Sequence, residues 1–196
     1  AHGEPRLDPG SWRGGTVKGT VRAKAAGPDD LDAAWAVIGD CRCALEARGL
    51  PQWTAEYPSR AFFREALAAG NLFVLSDGDG IAGVAVLDGR QPSEWSSAAW
   101  EDQGAPFQVI HAFAIAPRAQ HGGYGKSLLA YCEDVVGKRG AKSIRIDAFS
   151  ENTGALRFWE RHGYRFRGEV RFASKPAGHQ RYFCYEKSLG RQGSSG

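Results

Sequence analysis

The stretch QHGGYGKS, residues 120–127, decides how this chain is read. It ends in Gly-Lys-Ser, as a nucleoside-triphosphate loop does. That motif requires a glycine, four spacer residues and then Gly-Lys-Ser/Thr. Counting back from Gly125 puts the place of the first glycine at Gln120, so the triphosphate motif fails at its first residue. What stands instead is Gln-x-x-Gly-x-Gly opening a helical run. A helix start carries unpaired backbone N–H groups and partial positive charge, and glycines let a phosphate approach that backbone. Gly122, Gly123 and Gly125 supply that access, and Lys126 adds a cation, which suits a diphosphate. Glycine-rich turns also join strand to helix with no ligand, so the neighbouring sequence has to decide.

Upstream, FQVIHAFAIAP (107–117) reads as a strand stopped by Pro117; downstream, Leu128, Leu129, Cys132, Val135 and Val136 keep helical spacing as far as Gly137. SIRIDAF (143–149) is a further strand, and Asn152 to Arg161 a short helix with Ala155, Phe158 and Trp159 facing inward. Residues 164–166 and 181–186 read as closing strands. Towards the N-terminus, TVRAKA (20–25) alternates as a strand does. Pro28-Asp29-Asp30 then opens a helix with Leu31, Trp35, Ile38 and Leu45 on one face, ending at Gly49, and a second helix fits 58–69. NLFVLSD (71–77) and IAGVAVL (81–87), joined by hairpin punctuation, are expected to pair antiparallel. The segment 88–106, with Trp95 and Trp100, is too long and irregular to be a plain connection. This order predicts one α/β domain with a mixed sheet (α+β) over 20–189; residues 1–19 and 190–196 read as flexible ends.

Composition narrows the function classes. The 196 residues are 42% hydrophobic and 11% aromatic, enough for a substantial core. The 25 basic and 22 acidic residues are interspersed, so no nucleic-acid surface is indicated. No apolar run approaches the roughly 18 residues of a membrane span, and no secretory signal layout opens the chain; a cytoplasmic location is the default expectation. Cys41, Cys43, Cys132 and Cys184 show no metal-ligand spacing, and reduced thiols with no metal are expected.

Two segments in order carry a family resemblance. AFAIAPRAQHGGYGKSLL (112–129) resembles the acetyl-CoA segment of the GNAT superfamily of N-acetyltransferases, and NTGALRFWERHGYRF (152–166) resembles the Asn-x-x-Ala-x-x-Phe-Tyr-x-x-x-Gly-Phe segment that follows it there. More weakly, the likeness extends back through 71–87 to the first strand. The resemblance implies a central, mostly antiparallel twisted sheet with a splay between its fourth and fifth strands, flanked by about four helices. It implies acetyl-CoA as co-substrate, with the pyrophosphate held by the loop Gln120, His121, Gly122, Gly123, Tyr124, Gly125, Lys126 and Ser127. Phe113, Ala114 and Ile115 would run beside the pantetheine arm, Asn152 would touch it, and Ala155 and Phe158 would shape its groove. Ala155 and Phe158 also suit plain core packing, and Asn152 a helix N-cap.

The implied activity is acetyl transfer to a primary amine, with a small molecule leading over a protein N-terminus or lysine. A monomer or homodimer is expected. Where the family often has a Tyr able to protonate the leaving thiolate, Trp159 offers an indole N–H that is no usable acid. That departure keeps open a module that binds or senses acyl-CoA without turnover. A thiol has a reference pKa of roughly 8.5, so water or the amine's own proton could serve. His111, with a reference pKa of about 6.5, is the candidate base, on the expectation that it shares strand parity with Phe113 and Ile115. A structural role suits it as well. Glu101 and Asp102 are alternatives. Trp53, Tyr57, Trp95, Trp100 and Phe107 come from regions expected to wall the acceptor site, or to be core.

Overall fold

The computed structural model describes residues 20–101 and 103–190. The segment 1–19, Asp102 and 191–196 lie outside the described residues. Seven strands and four helices follow in the order β1 (Arg22–Ala25), α1 (Leu31–Glu46), α2 (Arg60–Ala68), β2 (Leu72–Asp77), β3 (Gly80–Asp88), β4 (Phe107–Ile115), α3 (Tyr124–Lys138), β5 (Ser143–Phe149), α4 (Thr153–Arg161), β6 (Arg165–Arg171) and β7 (Arg181–Ser188). No helix among them is long and apolar enough to cross a membrane.

The strands form one sheet in the order β1-β2-β3-β4-β5-β7-β6. Every neighbouring pair is antiparallel except β4–β5. That parallel pair is registered only at Phe107↔Ser143, Gln108↔Ile144 and Val109↔Arg145, after which the strands part. β5 stays paired with β7 along its whole length, from Ser143↔Ser188 to Phe149↔Tyr182. The sheet is therefore split from Ile110 onward, and the split leaves backbone edges of β4 and β5 facing one another.

Helices cover both faces. α3 and α4 pack Leu128, Leu129, Cys132, Val136 and Trp159 over Leu75, Leu87, Ile144 and Ile146. On the other face α1 and α2 set Ala34, Val37, Ile38, Cys41, Phe63 and Ala66 against Val74, Val84 and Val86. The apolar stripe of α1 is thus centred on smaller side chains than the sequence suggests, with Leu31 and Trp35 on its partly buried margin. Cys41 is buried and Cys43 exposed, on different sides of the helix, and all four cysteines are free. Over β5, β7 and β6, the 88–106 segment makes a 3-10 turn at Ser93–Ser97 and buries Trp95 and Trp100 against Val109, Phe149, Val170 and Cys184.

β4 departs from regular pairing at one place. Val86 pairs with His111 but Val84 with Ala114, so β4 carries one extra residue, and Ala112 takes a left-handed φ of 48°. Such a bulge resets which way the following side chains point. His111 faces α2, its ring 6.1 Å from that of Phe62, whereas Phe113 packs on Phe158 and Trp159 of α4. The expected shared parity of His111 with Phe113 and Ile115 is corrected by this bulge.

Candidate functional site

The loop before α3 has the form of an anion cradle. His121 and Gly123 both adopt positive φ, 66° and 83°, on either side of Gly122, and α3 begins at Tyr124. Ser127 N–H is the first to bond back, to Gly123 O at 3.1 Å; among the described residues the backbone N–H groups of 121–126 have no acceptor. Alternating left- and right-handed residues at a helix start point such groups into one concavity. The side chains divide their roles. Gln120 Nε2 donates to Ile115 O at 3.0 Å and ties the loop to the end of β4, and Ser127 Oγ donates to Gly123 O at 3.3 Å. Lys126 and His121 are exposed at the rim. The ring of Tyr124 fences Gly122, where a Cβ would stand 3.0 Å from Cε2. At Gly125 a Cβ would meet Phe158 Cε2 at 3.1 Å, so the missing side chain there also serves the contact between α3 and α4.

Beside the loop, the split sheet is the wedge a linear thiol arm would enter. Phe113 and Ala155 line it, Phe158 stacks on Phe113 with centroids 5.7 Å apart, and Ile115 packs against the α3 side. Ala114 turns its side chain into the α1 core, so only its backbone borders the wedge. Asn152 is an N-cap: its Oδ1 accepts from Ala155 N–H at 3.2 Å while Nδ2 donates to Gln52 Oε1 at 2.9 Å.

At the inner end of the wedge lies a cavity of about 370 Å³, within the range of small-molecule sites. Trp53, Tyr57, Phe62, Trp95, Phe149 and Tyr182 give it aromatic walls. Gln52 knits one side together, its backbone oxygen accepting from Lys175 Nζ at 2.9 Å and from Tyr182 OH at 3.2 Å. Trp159 also borders the cavity. Of the five aromatics expected around an acceptor, Trp53, Tyr57 and Trp95 line it. Trp100 and Phe107 do not, and stack on the Arg145 guanidinium at 4.5 and 3.9 Å.

Several titratable groups bear on the cavity. His111 lines it, with Nε2 3.1 Å from Asp88 Oδ1. Burial alone would raise the Asp88 carboxyl, but hydrogen bonds from His111 and from the Arg90 N–H hold it down to about 2. Asp147, on β5, accepts from Trp95 Nε1 at 3.2 Å; burial pushes its carboxyl up, opposed by the nearby His111 and Lys175. Burial lowers Lys175, with Asp147 opposing. Asp88 and Asp147 escape sequence reasoning, although the alternation of SIRIDAF does put Asp147 on one face with Arg145. Glu101 is not in the cavity: it pairs with Arg167 and accepts from Ser188 Oγ at 2.9 Å, beside a separate polar cleft.

Comparison with known proteins agrees with this geometry. The family model described as Acetyltransferase (GNAT) family matches residues 41–164, which include the loop and all but the last two residues of the Asn152 segment. No curated protein matches the chain. A GNAT-family acetyltransferase structure from Streptococcus agalactiae superposes with a TM-score of 0.74 at 17% identity, over 89% of this chain and 99% of that one. One from Listeria monocytogenes gives 0.65 at 20% identity, over 86% and 95%. The ribosomal-protein-S18-alanine N-acetyltransferase from Escherichia coli gives 0.61 at 17% identity, over 89% and 97%. At such identities the structures share the fold, and the family match over more than half of the sequence supplies the rest: the chain belongs to the GNAT family of acetyltransferases and is an acyltransferase.

Proposed function

We propose that the protein transfers the acetyl group of acetyl-CoA to the primary amine of a small molecule, by direct attack while both substrates are bound. The observation that carries this reading is the aromatic-walled cavity at the end of the split between β4 and β5, with the His111 imidazole in its wall. The unpaired amides of 121–126 suit the CoA pyrophosphate. The facing edges of β4 and β5 suit the pantetheine arm, whose amides can pair with exposed strand groups. A cavity of this size, bounded by the contacts to Gln52, favours a small amine over a peptide.

The chemistry requires an uncharged amine. His111 takes a proton from the bound ammonium, and Asp88 orients the ring and balances the imidazolium that forms. The nitrogen lone pair then attacks the thioester carbon, the C–N bond forms and the C–S bond breaks. Trp159 gives no proton, so the second amine proton leaves with sulfur as the CoA thiol.

Thiol release followed over a panel of primary amines tests the reading. Sustained acetyl-CoA-dependent turnover with at least one small amine is expected. Tight acetyl-CoA binding with no turnover across the panel would overturn it and leave a binding module.

A further inference from the structure

The cavity holds a carboxylate with too few partners. Asp147 points from β5 into a space walled by Trp95, Phe149 and Tyr182, and Trp95 Nε1 is its one hydrogen-bond donor among the described residues. An ionised carboxyl in such surroundings is costly unless a cation or further donors meet it. Lys175, which also lines the cavity, makes no ion pair with Asp147 among the described residues: it donates to Gln52 O and lies over the rings of Tyr57 and Tyr182 at 4.9 and 5.7 Å. The register of the split adds position. Val109 pairs with Arg145, so continuing the parallel register brings His111 level with Asp147 across the opening. Both side chains lie on the face that carries Phe62 and Trp95.

We propose that Asp147 anchors the ammonium of the acceptor and thereby selects primary amines with an aromatic or apolar body and no carboxylate beside the nitrogen. The proposal rests on the reading of this cavity as the acceptor site. One ammonium N–H meets Asp147 and another meets His111, which takes the proton before attack. The apolar body lies against the aromatic walls, where burial contributes roughly 25 cal/mol per Å² of apolar surface. A carboxylate next to the nitrogen would come close to Asp147, a like-charge contact that costs affinity.

Calorimetric binding of 2-phenylethylamine and of phenylalanine to the protein saturated with CoA tests this without turnover. Wild type is expected to bind phenylethylamine at least about tenfold more tightly than phenylalanine. Asp147→Asn, with a cooperative melt confirming its fold, is expected to weaken phenylethylamine about tenfold to a hundredfold and leave CoA affinity unchanged. Phenylethylamine affinity within twofold of wild type in the variant would overturn the anchor. So would equal affinity of wild type for the two ligands, or no binding of phenylethylamine to wild type at millimolar concentration. Thiol release keeps the two readings apart. Turnover insensitive to Asp147→Asn removes the anchor and leaves acetyl transfer standing, whereas Asp147-dependent binding without turnover removes acetyl transfer and leaves the anchor.

Discussion

His111 Nε2 and Asp88 Oδ1 stand 3.1 Å apart across the β3–β4 pair, and the carboxylate in that contact is nearly buried. Asp88 is held in turn by Arg90, whose N–H donates to Oδ1 at 2.8 Å and whose Nε donates to Oδ2 at 2.7 Å. An ionised carboxylate can only accept, so Nε2 carries the proton and Nδ1 is left as the acceptor. The pair therefore presets the tautomer a general base requires.

Alanine at His111 should separate binding from chemistry. We expect kcat to fall by about 10² or more while acetyl-CoA affinity stays within twofold, because a positioned base typically contributes on that order. Asp88→Asn, which touches neither substrate, should lower kcat by a smaller factor and change the pH profile of kcat/KM through His111. Wild type should show a rising limb that His111→Ala lacks. A folded His111→Ala protein with normal kcat and the same limb would assign the proton to solvent or to Asp147.

Asp88 also gives the fold a pH dependence. Its carboxyl is held at about 2 in the folded protein against 3.8 for an ordinary Asp, so ionised Asp88 stabilises the native state above about pH 4. That contribution is lost as pH falls from 3.8 towards 2, and it amounts to about 2 kcal/mol. Urea unfolding of wild type and Asp88→Asn at pH 6 and at pH 2.5 measures it. The difference between the two proteins should shrink at the lower pH, and a constant difference would dissociate the shift from stability.

Asp147 should behave in the opposite sense. Its carboxyl is raised by burial, so ionising it weighs against the folded state, and that burden is relieved as pH falls through the folded value. Asp147→Asn is therefore expected to melt higher than wild type at pH 7. A gain of about 1 kcal/mol would appear as roughly 2–4 °C for a domain of this size. The gap should close at pH values where Asp147 is protonated in both states. A lower melting temperature for the variant at pH 7 would mean that the carboxylate supports the empty cavity.

The hairpin β2–β3, the strand–loop–helix unit at 107–137 and the helix at 153–161 were legible because period and punctuation agree locally. β6 was not: RGEVR in its second half lacks apolar alternation, and pairing with β7 extends it to Arg171. Asp88 and Asp147 acquire meaning only through contacts between distant residues, His111 with Asp88 and Trp95 with Asp147. His111 shows the limit of counting along a strand. One extra residue at the Ala112 bulge reverses the face deduced from parity, and nothing in VIHAFAI announces a left-handed alanine.

The loop before α3 makes separate demands on two of its glycines, and substitution can tell them apart. Acetyl-CoA should raise the melting temperature of the wild-type protein and ATP with magnesium should not, since Gln120 occupies the place of the first triphosphate-loop glycine. Gly123 holds φ at 83°, so Gly123→Ala strains the backbone by about 1 kcal/mol and turns the free amides of 121–126 out of their concavity. The expected outcome is a loss of at least about tenfold in acetyl-CoA affinity, with the melt of the ligand-free protein lowered by no more than the roughly 2–4 °C that this strain implies. Gly125→Ala acts on packing instead, because its Cβ would press on Phe158 at 3.1 Å, and it should lower the ligand-free melt as well as affinity. Shortening the obstacle by Phe158→Leu should return part of that stability to Gly125→Ala and none to Gly123→Ala, a non-additivity confined to residues in contact. Equal rescue of both variants, or Gly123→Ala binding acetyl-CoA with wild-type affinity, would show that the loop amides are not what holds the pyrophosphate.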